Sequence, residues 1–428
     1  MKKACSLGLV AVLLLSLAAC TSVDVSKVPA AGSRLPYTVL TTLPNGTEVR
    51  NGGYGSAMTG HPTKAGRFYA ITDRGPNSSY TGSAGKGKKF PVPDYTPRIG
   101  EFKLNADGSV SMIREILLKD PQGTPISGRP NPEGLGATGE VAYDNDGNAL
   151  AADPYGLDSE GLVALSDGTF WISDEYGPHI VHYSADGVEL ERISPMGIDT
   201  SGRKLPRVFA RRRANRGMEG LAVTPDEKTL VGIMQSTLYN PSKKAATNTT
   251  LARIVTFDLD TGETHQYLYH QEKNNNSDSE LAALTATTFL VDERNGAFSG
   301  EGDAQKTLYK IDLSGATDVS GDIDAAGGMT VDGRTLEEMS WDDIYAAGIK
   351  PVKKELVADV VAMLPNHYPH DKLEGLWVID ATTVGILNDD DFAVTPQGDD
   401  VVQKILPGTA NEIDGDVLYI LHLAKPLF

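Results

Sequence analysis

The chain has 428 residues and a formal charge of −18, from 57 acidic side chains against 39 lysines and arginines. That balance argues against a nucleic-acid partner, which would need a basic surface, and suits the binding of a cation such as calcium. The 2 cysteines both lie near the N-terminus and leave the folded part without a disulfide, so its stability has to come from core burial.

A targeting segment comes first. Lys2 and Lys3 precede an apolar run at 7–17, too short to span a bilayer comfortably. The run ends in Leu17-Ala18-Ala19-Cys20, which resembles the bacterial lipoprotein signal, where cleavage precedes a cysteine that then becomes lipidated. Residues 1–19 are expected to leave as signal peptide, taking Cys5 with them, and Cys20 to carry lipid. Thr21 stands where an Asp would favour the inner membrane, so the outer membrane of a bacterial envelope is expected. That lipid is the one membrane contact foreseen. Residues 20–35 are small and polar and read as a tether, with 36–428 as a single, monomeric domain.

Turn signals then arrive at short intervals, at Asn45-Gly46, Asp107-Gly108, Asp146-Gly147, Asp167-Gly168, Asp186-Gly187 and Thr261-Gly262. Runs rich in Val, Ile, Tyr, Phe or Thr flank them, as at 161–165, 169–173, 229–234, 253–258, 288–292 and 307–313. Many short strands at this spacing mean an all-β sandwich, barrel or propeller, and the chain is too long for one sandwich. The Gly-rich 86–89 stretch reads as a mobile loop and 144–147 as a turn. Residues 334–348 have helical period and read as a surface insertion, while 353–364 fits helix or strand. The strand expected at 416–423 would close a ring with N-terminal residues.

Internal repeats select among these folds. Glu-Gly-Leu occurs at 133–135, 160–162, 219–221 and 374–376, with a degraded copy at 280–282. Four of the five open a strand–turn–strand unit with a polar end. Glu160 leads to Asp174-Glu175, Glu219 to Gln235-Ser236, Glu280 to Asp292-Glu293-Arg294, and Glu374 to Asp389-Asp390. An earlier unit has Ser56 in place of Glu and ends in Asp73-Arg74. Recurring units around a common centre predict a β-propeller of five to seven blades, six favoured, with long loop insertions. A two-residue turn at Asp167-Gly168 would set Glu160 opposite Glu175 and Asp174 beside Gly161. The same counting pairs Glu280 with Glu293 and Glu374 with Asp389.

Equivalent blade positions converge on a propeller axis, so these acids would form a ring. Crowded carboxylates need a cation, a basic group or a shared proton. Calcium, with six to eight oxygen ligands and tolerance of irregular geometry, suits such a ring. The competing reading is a repeat consensus that merely ends strands. Arg211, Arg212, Arg213 and Arg216 run straight into Glu219, and Arg74 and Arg294 each follow an acid; arginine forks bind phosphate or carboxylate, although a solvated loop and structural ion pairs explain them equally. His179 and His182 fall on opposite strand faces, and His367 and His370 read as surface loop. Nothing in the chain reads Gly-x-Ser-x-Gly, Walker loop or HExxH, which disfavours serine-hydrolase, nucleotide and zinc-protease chemistry.

With these residues in hand, the chain resembles the bacterial family described as phytase-like, or "esterase-like activity of phytase". The matching stretches are Thr72-Asp73-Arg74-Gly75-Pro76-Asn77, Asp158-Ser159-Glu160-Gly161-Leu162, Ser173-Asp174-Glu175-Tyr176-Gly177-Pro178, 215–222, Glu293-Arg294 and Leu373-Glu374-Gly375-Leu376, in order across 50–392. The resemblance implies a relation to β-propeller phytases, which hydrolyse phosphomonoesters with a ring of calcium-bound carboxylates. On that footing Asp73, Glu160, Asp174, Glu175, Glu219, Glu280, Glu293, Glu374 and Asp389 are the expected calcium ligands. Arg74, Arg216 and Arg294 are the expected catalytic residues, holding a small anionic, phosphorylated substrate. Gln235 and Ser56 depart from the repeat. Two alternatives use the same fold, a calcium-dependent esterase or lactonase and a binding propeller without catalysis.

Overall fold

The first strand of each Glu-Gly-Leu unit and the strand that follows it are both apolar on both faces, so they demand cover on two sides. The computed structural model, which describes residues 23–198 and 202–428, supplies that cover with five four-stranded antiparallel sheets. Sheet 1 runs through Ala57–Gly60, Arg67–Ile71, Arg98–Leu104 and Val110–Leu117. Sheet 2 runs through Ser159–Ala164, Phe170–Asp174, Ile180–Tyr183 and Glu189–Ile193. Sheet 3 is Met218–Val223, Thr229–Met234, Leu251–Asp258 and Thr264–His270. Sheet 4 is Ser277–Ala283, Thr288–Arg294, Lys306–Asp312 and Lys353–Asp359. Sheet 5 is Gly375–Asp380, Thr383–Leu387, Val417–His422 and, on its edge, Ser33–Arg34.

The core is divided among the sheet interfaces. Tyr69 and Ile99 of sheet 1 meet Phe170 and Val181 of sheet 2, and Trp171 and Ile180 meet Leu230 and Val255 of sheet 3. Ile233 and Ile254 meet Phe289 and Val291 of sheet 4, and Leu290 and Leu308 meet Leu376 and Ile386 of sheet 5. Sheet 5 returns to sheet 1 through Trp377 and Leu387 against Phe68 and Phe102. Each sheet therefore packs on the next and the fifth on the first, with the five first strands innermost. Ser33 pairs with Leu418 and Arg34 with Val417, so the C-terminal strand takes an N-terminal partner as expected.

Local readings change in hairpin register and at 86–89. The hairpin at 165–169 has a three-residue loop, with Leu165 N donating to Thr169 O and Gly168 at φ 91°. Glycine supplies the left-handed position that this loop type needs. The register accordingly puts Gly161 opposite Ser173, and a bulge at Glu160 separates that pair from Ser159 and Asp174. Likewise Glu280 pairs with Asp292 instead of Glu293, and Gly375 pairs with Leu387, which leaves Asp389 beyond the ladder. The 86–89 stretch is no loop: Gly85–Lys89 forms a three-stranded sheet with Ser78–Gly82 and Val141–Tyr143. Residues 353–364 are both things in turn, strand Lys353–Asp359 and then a helical turn, Val360–Met363. Helix Trp341–Ala346 lies within the segment of helical period. Among the described residues no helix is long and apolar enough to cross a membrane.

Candidate functional site

Antiparallel order puts the starts of all five inner strands at the same end as the connections between second and third strands. Two of these connections carry extra sheets, the one at 78–89 and the hairpin Val394–Gln397 with Asp400–Gln403. Between them lies a cavity of about 310 Å³. Arg74, Arg216 and Arg294 all line it, with Asp73, Glu160, Glu175, Glu219 and Glu374. Lys88 and Lys372 complete its charged wall.

Glycines bring these groups together. A Cβ on Gly161 would lie 2.4 Å from the Glu219 carbonyl oxygen, and one on Gly220 would lie 2.8 Å from the Glu280 carbonyl carbon. Only glycine lets neighbouring inner strands approach this closely, which is why Gly follows Glu in the repeat. Gly217 is pressed on the Glu175 backbone in the same way, at 2.3 Å, and Asn215 beside it takes φ 56°. The loop is thereby held with Arg216 next to Glu175 and Glu219. On the opposite wall Asp391, Phe392 and Ala393 have φ of 52°, 58° and 61°, a run of left-handed residues that costs on the order of 1–3 kcal/mol each. Asp390 Oδ1, accepting from Phe392 N at 2.8 Å, and the pairing of Asp391 with Lys372 and Lys404 hold that turn.

The cations divide into two groups. Arg74 faces Asp158 at 3.2 Å, Arg294 pairs with Glu374, and Lys372 reaches Asp389 at 2.5 Å. Arg216 has only a 3.5 Å hydrogen bond to Ser277 Oγ, and neither it nor Lys88 makes an ion pair among the described residues. Burial, with Arg213 adding to it, pulls the Arg216 guanidinium below its ordinary value, and burial with Arg74 nearby does the same to Lys88. The carboxylates divide similarly. Asp73, Glu160, Glu175 and Glu219 have no cationic partner at ion-pair distance among the described residues. Burial pushes the carboxyls of Asp73, Glu160 and Glu175 up, and the nearby Asp158 pushes each further. Glu219 is also raised by burial, against the pull of Arg294.

One oxygen each from Asp73, Asp158 and Glu160 lies within 4.8 Å of the others, and Asp158 Oδ2, the atom that faces Arg74 at 3.2 Å, has no hydrogen bond among the described residues. Calcium binds oxygens at roughly 2.3–2.6 Å, so its ligand oxygens fall within about 5 Å of one another, and this set fits it. Asp158 was missed as a site residue although it opens the Asp-Ser-Glu-Gly-Leu stretch. A second set, Asp389, Asp390 and Asp416, lies behind the cavity wall. Burial raises Asp390 to about 7, with Asp414 and Asp389 contributing.

Three expected ligands are committed elsewhere. Asp174 accepts from Gly177 N at 2.7 Å and Asp158 N at 3.0 Å, and burial raises it to about 6. Glu280 caps the backbone N–H groups of Leu281 and Leu221. Glu293 points to the outer strands, toward Tyr269 and Lys354. His370 is buried between Asp414 and Tyr419 instead of lying on a surface loop. Asp144 caps its own turn as expected, accepting from Asp146 N and Asn148 N. Cys20 and the signal segment lie outside the described residues.

A family model described as phytase-like, esterase-like activity of phytase, matches residues 50–392. An uncharacterized secreted protein of the fungus Arthroderma benhamiae is 25% identical over 295 residues, 58% of this chain and 57% of its own length. The chain thus spans rather more than half of that relative. Among solved structures, virginiamycin B lyase from Staphylococcus aureus is similar with TM-score 0.30 and 12% identity, over 84% of this chain and 92% of its own. An alpha-L-arabinofuranosidase from Podospora anserina is similar with TM-score 0.37 and 9% identity, over 94% of this chain and 100% of its own. Both scores are too low to carry an argument.

Proposed function

The chain belongs to the phytase-like family, and from that membership and the chemistry of the cavity we propose a calcium-dependent phosphoester hydrolase, lipid-anchored at a bacterial envelope. One observation carries the reading. Four carboxylates, Asp73, Glu160, Glu175 and Glu219, share a 310 Å³ cavity with two cations, Arg216 and Lys88, and none of the six makes an ion pair among the described residues. Four negative charges against two positive leave an excess that one divalent cation offsets, and the two unpaired cations are then the groups that would meet an anionic substrate.

Asp73, Asp158 and Glu160 would hold the calcium, which when bound neutralises phosphate oxygens and acidifies water. Arg216 donates to the phosphate and meets the charge that grows on it as the ester P–O bond breaks. Arg74 and Arg294, already paired, orient Asp158 and Glu374 and keep the wall from collapsing inward. Glu219, whose Oε2 is buried without a hydrogen bond among the described residues, would take the proton of the attacking water. No covalent nucleophile is required. The closed order of sheet packing supports a five-bladed propeller, at the low end of the five to seven foreseen.

The test is hydrolysis of 4-nitrophenyl phosphate and a carboxyl-ester panel by residues 21–428, with calcium and with chelator. Phosphate release that needs calcium, and is lost in folded Glu160→Gln and Arg216→Ala proteins, is the expected outcome. Turnover of carboxyl esters alone would establish the esterase or lactonase reading. If nothing turns over and chelator leaves the melting temperature unchanged, the hydrolase reading fails.

A further inference from the structure

The inner strands have a second end. There they enclose a larger depression, about 570 Å³, lined by the buried Leu162, Leu221, Leu281 and Leu376 together with Val23 and the polar His61, Lys64 and Arg67. This end is charged as well, with Lys64 and Arg67 both facing Glu101. Its hairpin turns carry Asp167, Asp226 and Asp380, each already bonded to its own turn.

The chain enters the fold at this end. Val23, Val25 and Val28 pack on the core between sheets 5 and 1, against residues that include Met58 and Trp377. Lys27 lies so near the 105–109 turn that a Cβ on Gly108 would come 2.1 Å from its carbonyl oxygen. Ser33 Oγ donates to Gly108 O at 2.6 Å, and Ser33–Arg34 is the edge strand of sheet 5. Residues 23–34 are therefore docked along this end. Of the stretch read as a tether, only residues 20–22 remain to span any distance.

We propose that this second end of the inner strands is the membrane-facing surface, held there by the acyl chains on Cys20, so that the charged cavity opens away from the bilayer. This rests on the reading that Cys20 carries lipid. Three residues of extended chain reach about 11 Å, so lipid on Cys20 enters the bilayer within that distance of Val23 and its depression. Two or more acyl chains anchor a protein stably, at roughly 0.8 kcal/mol per buried CH₂, so no basic patch is needed. The orientation leaves the cavity open to solutes, whereas the reverse orientation would need a tether longer than the protein provides.

The test uses the full-length chain, processed in a bacterial host and placed in phosphatidylethanolamine–phosphatidylglycerol vesicles containing nitroxide-labelled lipid. With Cys5 removed and Cys20 modified, an added cysteine is the only thiol. Lys64→Cys, at the second end with its side chain 51% exposed, and Gln397→Cys, exposed beside the cavity, each take a fluorophore. Strong quenching at 64 with little at 397 is expected. Equal quenching, or the reverse, overturns the orientation while leaving the anchor intact. An N-terminal peptide mass without lipid removes the anchor itself, and the proposal with it.

Discussion

Gly161 and the carbonyl of Glu219 occupy adjacent inner strands so closely that a methyl group on the glycine would overlap the oxygen, at 2.4 Å. Ser173 Oγ, 2.3 Å from the same Cβ position, donates to that carbonyl at 2.7 Å. The repeat is thus a packing code first. Glutamate precedes glycine because the narrowing that glycine allows is also what crowds the carboxylates at one end.

Gly161→Ala is expected to destabilise the protein by about 2–3 kcal/mol, as overpacking against backbone does. Gly296, with nothing within 4 Å of its Cβ position, is the control, and Gly296→Ala should be near neutral. Urea unfolding of both variants checks this.

Arg74 and Arg216 should separate stability from activity. Arg74→Ala leaves Asp158, fully buried, without its cation and should cost on the order of 3–5 kcal/mol. Arg216→Ala breaks no ion pair and should leave unfolding nearly unchanged, while phosphoester turnover falls roughly 10²–10³-fold, as for loss of one transition-state donor. Steady-state kinetics and denaturant melts on the same samples distinguish the two.

Calcium should stabilise the native protein by about 2.7 kcal/mol at 100 times its dissociation constant. Glu160→Gln should shrink that increment, because one of the three converging oxygens becomes an amide. Thermal melts across a calcium titration measure it.

His179 gives a pH dependence of known sign. It is fully buried beside Leu135 O at 3.2 Å, and burial holds its pKa well below the usual value. The folded state therefore keeps it neutral while the unfolded chain protonates it below about pH 6.5. Its stabilising contribution is complete above that pH and is lost as pH falls, by about 1.4 kcal/mol per unit, until the lowered folded pKa is reached. His179→Gln should flatten the stability slope between pH 6.5 and 5, measured by denaturant melts.

Much of this was legible in the residues. Glu160, Glu219 and Glu374 were picked out by the repeat, and Arg74 and Arg216 by their neighbours in sequence, because repetition records which positions are equivalent. Register was not legible. A three-residue loop at 166–168 and a bulge at Glu160 shift every pairing counted from the turn, and neither follows from an Asp-Gly pair. Lys88 escaped notice because a Gly-rich basic stretch reads as loop until a parallel partner, Val141–Tyr143, makes it a strand.

The sequence by itself determined the strand-rich class, the repeat, the family resemblance and the motif at Cys20, since each depends on residue type and local spacing. Only the tertiary structure decided which acids share the cavity. Glu160, Glu175 and Glu219 meet there, while Asp174, Glu280 and Glu293, from the same units, are taken up by backbone caps and outer-strand pairs. Burial leaves a carboxylate free for chemistry only where no N–H or ammonium reaches it, and that is set by strands far apart in the chain.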